Sequence, residues 1–78
     1  MIGKILKQMR KEKELSQEDM AMILNINQTT LSGYERGYRE PSYETIEKIA
    51  KICNYEIQFI NKTNNNILTT KNIERKEI

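Results

Sequence analysis

The chain has 78 residues, of which 37% are hydrophobic and 31% charged, with a formal net charge of +2; this is one domain's worth of sequence around a single core, and not the composition of a fully disordered chain. It holds no histidine and one cysteine, Cys53, which excludes a zinc site of the usual Cys/His kind, a disulfide framework within one chain, and any Ser-His or Cys-His nucleophile pair. No run has the apolar length of a membrane span and the first residues lack the apolar core of a signal peptide, so a cytoplasmic protein with no metal, no cofactor, no membrane partner and no catalytic activity is expected.

Ile2–Glu14 reads as a first helix, with Ile2, Ile5, Leu6 and Met9 at helical spacing. Charge is concentrated here. Residues 1–14 carry Lys4, Lys7, Arg10, Lys11 and Lys13 against Glu12 and Glu14, a net of +3, whereas residues 15–41 carry Arg36 and Arg39 against Glu18, Asp19, Glu35 and Glu40, a net of −2. A basic first helix is compatible with a polyanionic partner, although such runs are more often a solvated face.

Ser16 is placed to cap a second helix, with Asp19 as the carboxylate of a capping box and Leu15 and Met20 at the flanking staple positions. This helix continues through Met20, Ala21, Ile23 and Leu24, with Ala21 small enough to let two helices approach. Asn25-Ile26-Asn27 then interrupts the pattern. Asn25 tolerates a left-handed backbone and can close one helix; Asn27 can cap the next, with Ile26 and Leu31 repeating the staple. Gly37 ends that third helix.

After the loop Tyr38-Arg39-Glu40-Pro41, Ser42 caps a fourth helix whose apolar stripe is Ile46, Ile49, Ala50 and Cys53. Asn54 can end it. Tyr55–Ile60 reads as a strand, Asn61–Asn66 as a polar turn, and Ile67–Thr70 as a returning strand. The last eight residues, KNIERKEI, are charged and expected to fray.

Two short helices joined by a three-residue corner make a helix-turn-helix, whose second helix can enter a major groove. Steps of 100° along the third helix turn Leu31 and Tyr34 toward the core and put Gln28, Thr29, Ser32, Gly33 and Arg36 on the opposite arc. Gln28 can bond an adenine in bidentate fashion, and Thr29 offers a hydroxyl to a base and a methyl to thymine. Arg36 suits a phosphate. The plainer reading of Gln28, Thr29 and Ser32, taken alone, is a solvated polar face. Tyr34 is expected to be core with its hydroxyl at the surface, and Cys53 a buried inert thiol.

The segment from SQEDMA through LSGYERG to the PS opening the fourth helix, within residues 2–54, resembles the phage repressor and Cro-like (XRE-type) helix-turn-helix family of transcriptional regulators. The resemblance implies a mainly α, lambda-repressor-like bundle of four short helices in residues 1–54, followed by a C-terminal β-strand or hairpin at 55–70 that is a possible dimerisation element, and a charged tail at 71–78. It implies a sequence-specific regulator, in the main reading a repressor, that binds double-stranded DNA as a homodimer. Gln28, Thr29 and Ser32 are the expected base readers. Gln17, Asn27 and Arg36 are the expected backbone contacts, with Gln17 also bracing Gln28. Arg10 and Glu35 match an ion pair tying the first helix to the third.

Two positions depart from the family's pattern. Asn25 replaces the usual corner glycine. Gly33 stands where many relatives carry a base-reading side chain, which leaves either close approach of the backbone to DNA or loose reading of one base pair. Two other functions fit the same chain: an antitoxin that represses its own operon and holds a toxin protein through residues 55–78, or a protein-interaction module without DNA binding, for which Gly33 and the small net charge speak.

Overall fold

The computed structural model describes residues 2–71. Its elements are α1 (Ile2–Glu12), α2 (Gln17–Leu24), α3 (Gln28–Arg36), α4 (Tyr43–Ile52), β1 (Phe59–Ile60) and β2 (Ile67–Leu68). The expected C-terminal tail lies, from residue 72 onward, outside the described residues.

Each helix stops because one residue turns left-handed, and at all four ends the next residue's N–H then reaches a carbonyl five residues back. After α1 the left-handed residue is Glu14 (φ 60°), with the Leu15 N–H donating to the Arg10 carbonyl at 3.2 Å. Asn25 (φ 58°) follows α2, Gly37 (φ 83°) follows α3 and Asn54 (φ 67°) follows α4. The corresponding donors are Ile26 to Ala21 at 3.0 Å, Tyr38 to Gly33 at 2.9 Å and Tyr55 to Ala50 at 2.7 Å. The first helix is therefore shorter than its periodicity suggests, ending at Glu12 and not Glu14.

At the other ends, Ser16 Oγ accepts from the Asp19 N–H at 3.0 Å and Ser42 Oγ from the Thr45 N–H at 3.2 Å, so both expected serine caps form. Asn27 occupies the cap position of α3 in extended backbone, but its side chain makes no capping bond. Its carbonyl serves instead, accepting from Thr30 at 3.0 Å and Leu31 at 3.2 Å.

Leu6, Met20, Ala21, Leu31, Ile49 and Cys53 form the buried cluster, ringed by Met9, Leu15, Leu24, Ile26, Tyr34, Ile46 and Ile52. Every helix contributes to it. Both staple pairs, Leu15 with Met20 and Ile26 with Leu31, sit against this cluster, and each fully buried Leu, Ile or Met contributes roughly 1.5–3 kcal/mol. The face that α1 buries differs from the expected stripe. Gly3, Leu6 and Arg10 are buried, whereas Ile2 and Ile5 are exposed. The reason is Gly3: a β-carbon there would collide with the Tyr34 carbonyl oxygen and lie 2.8 Å from that of Glu35. Only glycine lets α1 lie backbone-to-backbone on the last turn of α3, and that approach rotates Ile5 outward.

Beyond α4, the Tyr55 hydroxyl donates to the Glu12 carboxylate, pinning the chain back onto α1. This bond holds Glu12 below and Tyr55 above their ordinary titration values. The expected strand from Tyr55 narrows to Phe59–Ile60, paired antiparallel within the chain with Ile67–Leu68 in the register Phe59–Leu68 and Ile60–Ile67. The asparagines shape the turn: Asn61 and Asn64 side chains accept from the Thr63 and Asn66 N–H groups, and Asn65 is left-handed (φ 63°). All four strand residues are exposed. Among the described residues no helix is long and apolar enough to cross a membrane.

Replacing Gly3 by Ala should destabilise the protein by about 1–3 kcal/mol, because two main-chain carbonyls, unlike a side chain, cannot swing aside. Urea denaturation followed by circular dichroism measures this; an unchanged midpoint would show that α1 and α3 are not locked at this contact.

Candidate nucleic-acid interface

The geometry of α3 begins at the corner. The Asn25 N–H reaches the carbonyls of Ala21 and Met22, its left-handed backbone turns the chain, and half-buried Ile26 packs on the core. α3 then starts at Gln28. Leu31 at 1% exposure and half-buried Tyr34 hold its inner side, so the opposite arc faces outward: Gln28, Thr29 and Arg36 are exposed and Ser32 is half-buried. No side-chain hydrogen bond to another described residue engages Gln28, Thr29 or Ser32. Polar groups that are exposed, unengaged and mounted on a short rigid helix are available to an external partner. Asn27 joins them, because its side chain does not cap the helix.

The helix is held by one buried ion pair. Arg10 Nε donates to Glu35 Oε2 at 2.7 Å and Nη2 donates to Oε1 at 3.0 Å, the bidentate arrangement that suits guanidinium and carboxylate. Arg10 Nη1 also donates to the Leu15 carbonyl at 2.8 Å. The pair therefore joins α1, the turn after it and α3. Both residues are buried, at 7% and 6% exposure, and no buried side-chain polar atom among the described residues lacks a partner.

Gln17 behaves differently from the expectation. Its Nε2 donates to Glu35 Oε1 at 3.0 Å, so it braces the carboxylate and not Gln28. The carboxylate, which carries a full charge, outcompetes a neutral amide for this donor. α2 is thereby fastened to the same anchor as α1.

Burial pushes the Glu35 carboxyl upward, but the hydrogen bonds from Arg10 and Gln17 and the positive charges of Arg10 and Lys7 outweigh it and hold it below its ordinary value of 4.5. Glu35 in turn raises Arg10 by its hydrogen bond and charge, against the opposing effect of burial.

At the far end of α3 the Arg36 guanidinium lies over the Tyr38 ring, 5.3 Å from its centre, a stacking that restricts where the cation can go. Gly33 is buried although it belongs to the outward arc, because the stem of Arg39 lies over it. The sequence reading passed over three of these residues, Gly3, Tyr38 and Arg39. A lone glycine inside each of two helical runs was the available signal, since such a residue usually marks a close approach.

Replacing Glu35 by Ala leaves the Arg10 guanidinium buried without its counter-charge and should cost about 3–5 kcal/mol, measured by urea denaturation at neutral pH. The pH dependence follows from the depressed carboxyl. Its contribution is complete above pH 4.5 and is lost as pH falls through the lower folded-state value. Wild-type stability should therefore decline on acidification below pH 4.5 with a component that Glu35→Gln lacks; identical acid slopes for the two proteins would remove the ion pair from its assigned role.

Comparison with known proteins agrees with this geometry. The helix-turn-helix family profile matches residues 6–60. The chain is 36% identical over 66 residues to the uncharacterized HTH-type transcriptional regulator YqaE of Bacillus subtilis, covering 85% of this chain and 57% of that protein. It is 37% identical over 62 residues to the ImmF control region 10 kDa protein of Bacillus phage phi105, covering 80% and 69% of the two chains. With the HTH-type transcriptional regulator ImmR of Bacillus subtilis it shares 36% identity over 59 residues, covering 76% of this chain but only 46% of that one. The chain thus spans about half the length of the two Bacillus subtilis regulators. A left-handed corner between two short helices, an outward polar arc on the second, and a family match over most of the sequence lead to one conclusion: the chain belongs to the helix-turn-helix family.

Proposed function

We propose that this protein is a sequence-specific DNA-binding regulator of transcription, acting as a cytoplasmic repressor without catalytic activity, and that α3 reads the major groove. The observation that carries the reading is the state of Gln28 and Thr29, which are exposed and unengaged on the first turn of a helix clamped by Arg10, Gln17 and Glu35. Side chains at the start of such a helix meet base edges. In this reading Gln28 bonds an adenine through its amide, Thr29 contacts a base or a thymine methyl, and Ser32 reaches a neighbouring edge. Asn27, Arg36 and Gln17 contact the DNA backbone. The uncapped side chain of Asn27 supports its part, and stacking on Tyr38 pre-orients Arg36. With the Gln17 amide nitrogen engaged by Glu35, its remaining contact groups are the amide oxygen and the main-chain N–H at the start of α2, a position favourable for phosphate.

One short helix reads only a few base pairs, so the protein acts on DNA as a homodimer whose half-sites lie about 34–36 Å apart. The hairpin supplies the joining surface. Phe59, Ile60, Ile67 and Leu68 are 64%, 58%, 44% and 42% exposed, an apolar group that a two-fold mate would cover.

Gln28→Ala should weaken binding to the selected operator by about 1–3 kcal/mol and leave binding to random duplex unchanged, as read by fluorescence anisotropy on both DNAs. An equal loss on the two DNAs contradicts base reading. Phe59→Asp should shift the protein toward monomer in sedimentation equilibrium and weaken operator binding without changing the helical circular dichroism; a monomeric wild-type protein on its operator would dismiss the dimer.

A further inference from the structure

Gly33 is the one interior helix residue on the outward arc without a side chain, and glycine there weakens the helix relative to alanine. It is buried, while Thr29 and Arg36 on the same arc are exposed. What covers it comes from beyond the helix. A β-carbon built on Gly33 would lie 3.3 Å from both Cγ and Cδ of Arg39 and 3.7 Å from its Cβ. The arginine stem therefore rests where the side chain of position 33 would begin.

The main chain makes this path. Gly37 is left-handed (φ 83°, ψ 12°), and the N–H groups of Tyr38 and Arg39 both donate to the Gly33 carbonyl, at 2.9 and 3.2 Å. Gly33 thus holds Arg39 twice, by its carbonyl and by the notch its missing side chain leaves. Arg39 remains exposed, and no hydrogen bond or ion pair to another described residue occupies its guanidinium.

We propose that Arg39 is the reading side chain of position 33, delivered from the loop across α3, and that its guanidinium recognises the paired O6 and N7 acceptors of a guanine. The proposal rests on the DNA-reading role of α3 argued above. A guanine edge is favoured over a phosphate for a geometric reason. An arginine in the loop beyond a recognition helix can meet the DNA backbone directly. Folding its stem onto the arc shared by Gln28 and Thr29 turns it instead toward the residues assigned to bases.

The alternative, that Arg39 only covers a bare stretch of helix with its aliphatic stem, is separable by Arg39→Met, which keeps an unbranched apolar stem and removes the guanidinium. Duplexes are selected from a random pool with wild-type, R39M, Q28A, G33A and G33A/R39M proteins, and affinities are then measured on selected and random DNA. R39M should flatten a guanine preference at one position of each half-site and lower affinity for the selected site about 5- to 150-fold, the discrimination of one bidentate pair. G33A should raise the melting temperature, displace the stem and weaken the same preference, and in the R39M background it should alter binding no further. An intact base preference in R39M overturns the proposal in favour of packing. A loss spread evenly over all sequences overturns it in favour of a phosphate contact. If the wild-type protein selects no sequence, the DNA-reading function itself fails and this inference with it. If it does, and Q28A degrades one position while R39M degrades none, Arg39 alone is refuted.

Discussion

The bidentate contact between Arg10 and Glu35 is the constraint on which the rest of the molecule depends. Its Nε–Oε2 distance of 2.7 Å joins residues 25 positions apart, and the third Arg10 donor and the Gln17 amide draw the first turn and α2 to the same point. Burying two charges is expensive, so such a pair contributes little net stability against an apolar pair of the same shape. What it supplies here is orientation. A core of a few Leu, Ile and Met side chains resists separation of the helices but is less exacting about rotation of one helix about its axis. Directional hydrogen bonds on the carboxylate of α3 are exacting, and they set which residues of α3 face outward.

The same economy governs the helix ends. A domain of this size has little apolar area to spend on long elements, and its helices stop abruptly through left-handed residues that satisfy the last carbonyls locally. The closure after α2 makes the corner that aims α3. The closure after α3 returns Tyr38 and Arg39 along the helix they have just left. Cation stacking of Arg36 on Tyr38 and coverage of Gly33 by Arg39 are both consequences of that single turn at Gly37.

The surface then divides by chemistry. The outward arc of α3 is polar and unengaged, whereas the hairpin presents Phe59, Ile60, Ile67 and Leu68 at the other kind of surface, one that water covers poorly. The hairpin has only two residue pairs, and the tie from Tyr55 to Glu12 anchors its approach to α1. A reading face and an apolar face on one small domain are what a DNA-bound dimer requires.

Much of this was legible in the sequence because it is local. Serine caps, staples, the Asn25 corner, the Gly37 and Asn54 closures and the outward arc of α3 all depend on residues within five positions of one another, and spacing encodes such relations directly. Resemblance to a family, and not spacing, pointed to Arg10 and Glu35. Tertiary structure alone decided the rest. Gly3 against the carbonyls of α3 chose the buried face of α1 and turned Ile5 outward. Competition for a charged acceptor sent Gln17 to Glu35. The fold of the loop beyond Gly37 laid Arg39 over Gly33. Each of these outcomes depends on the distance between chain segments that meet only after folding, a quantity that helical periodicity does not contain.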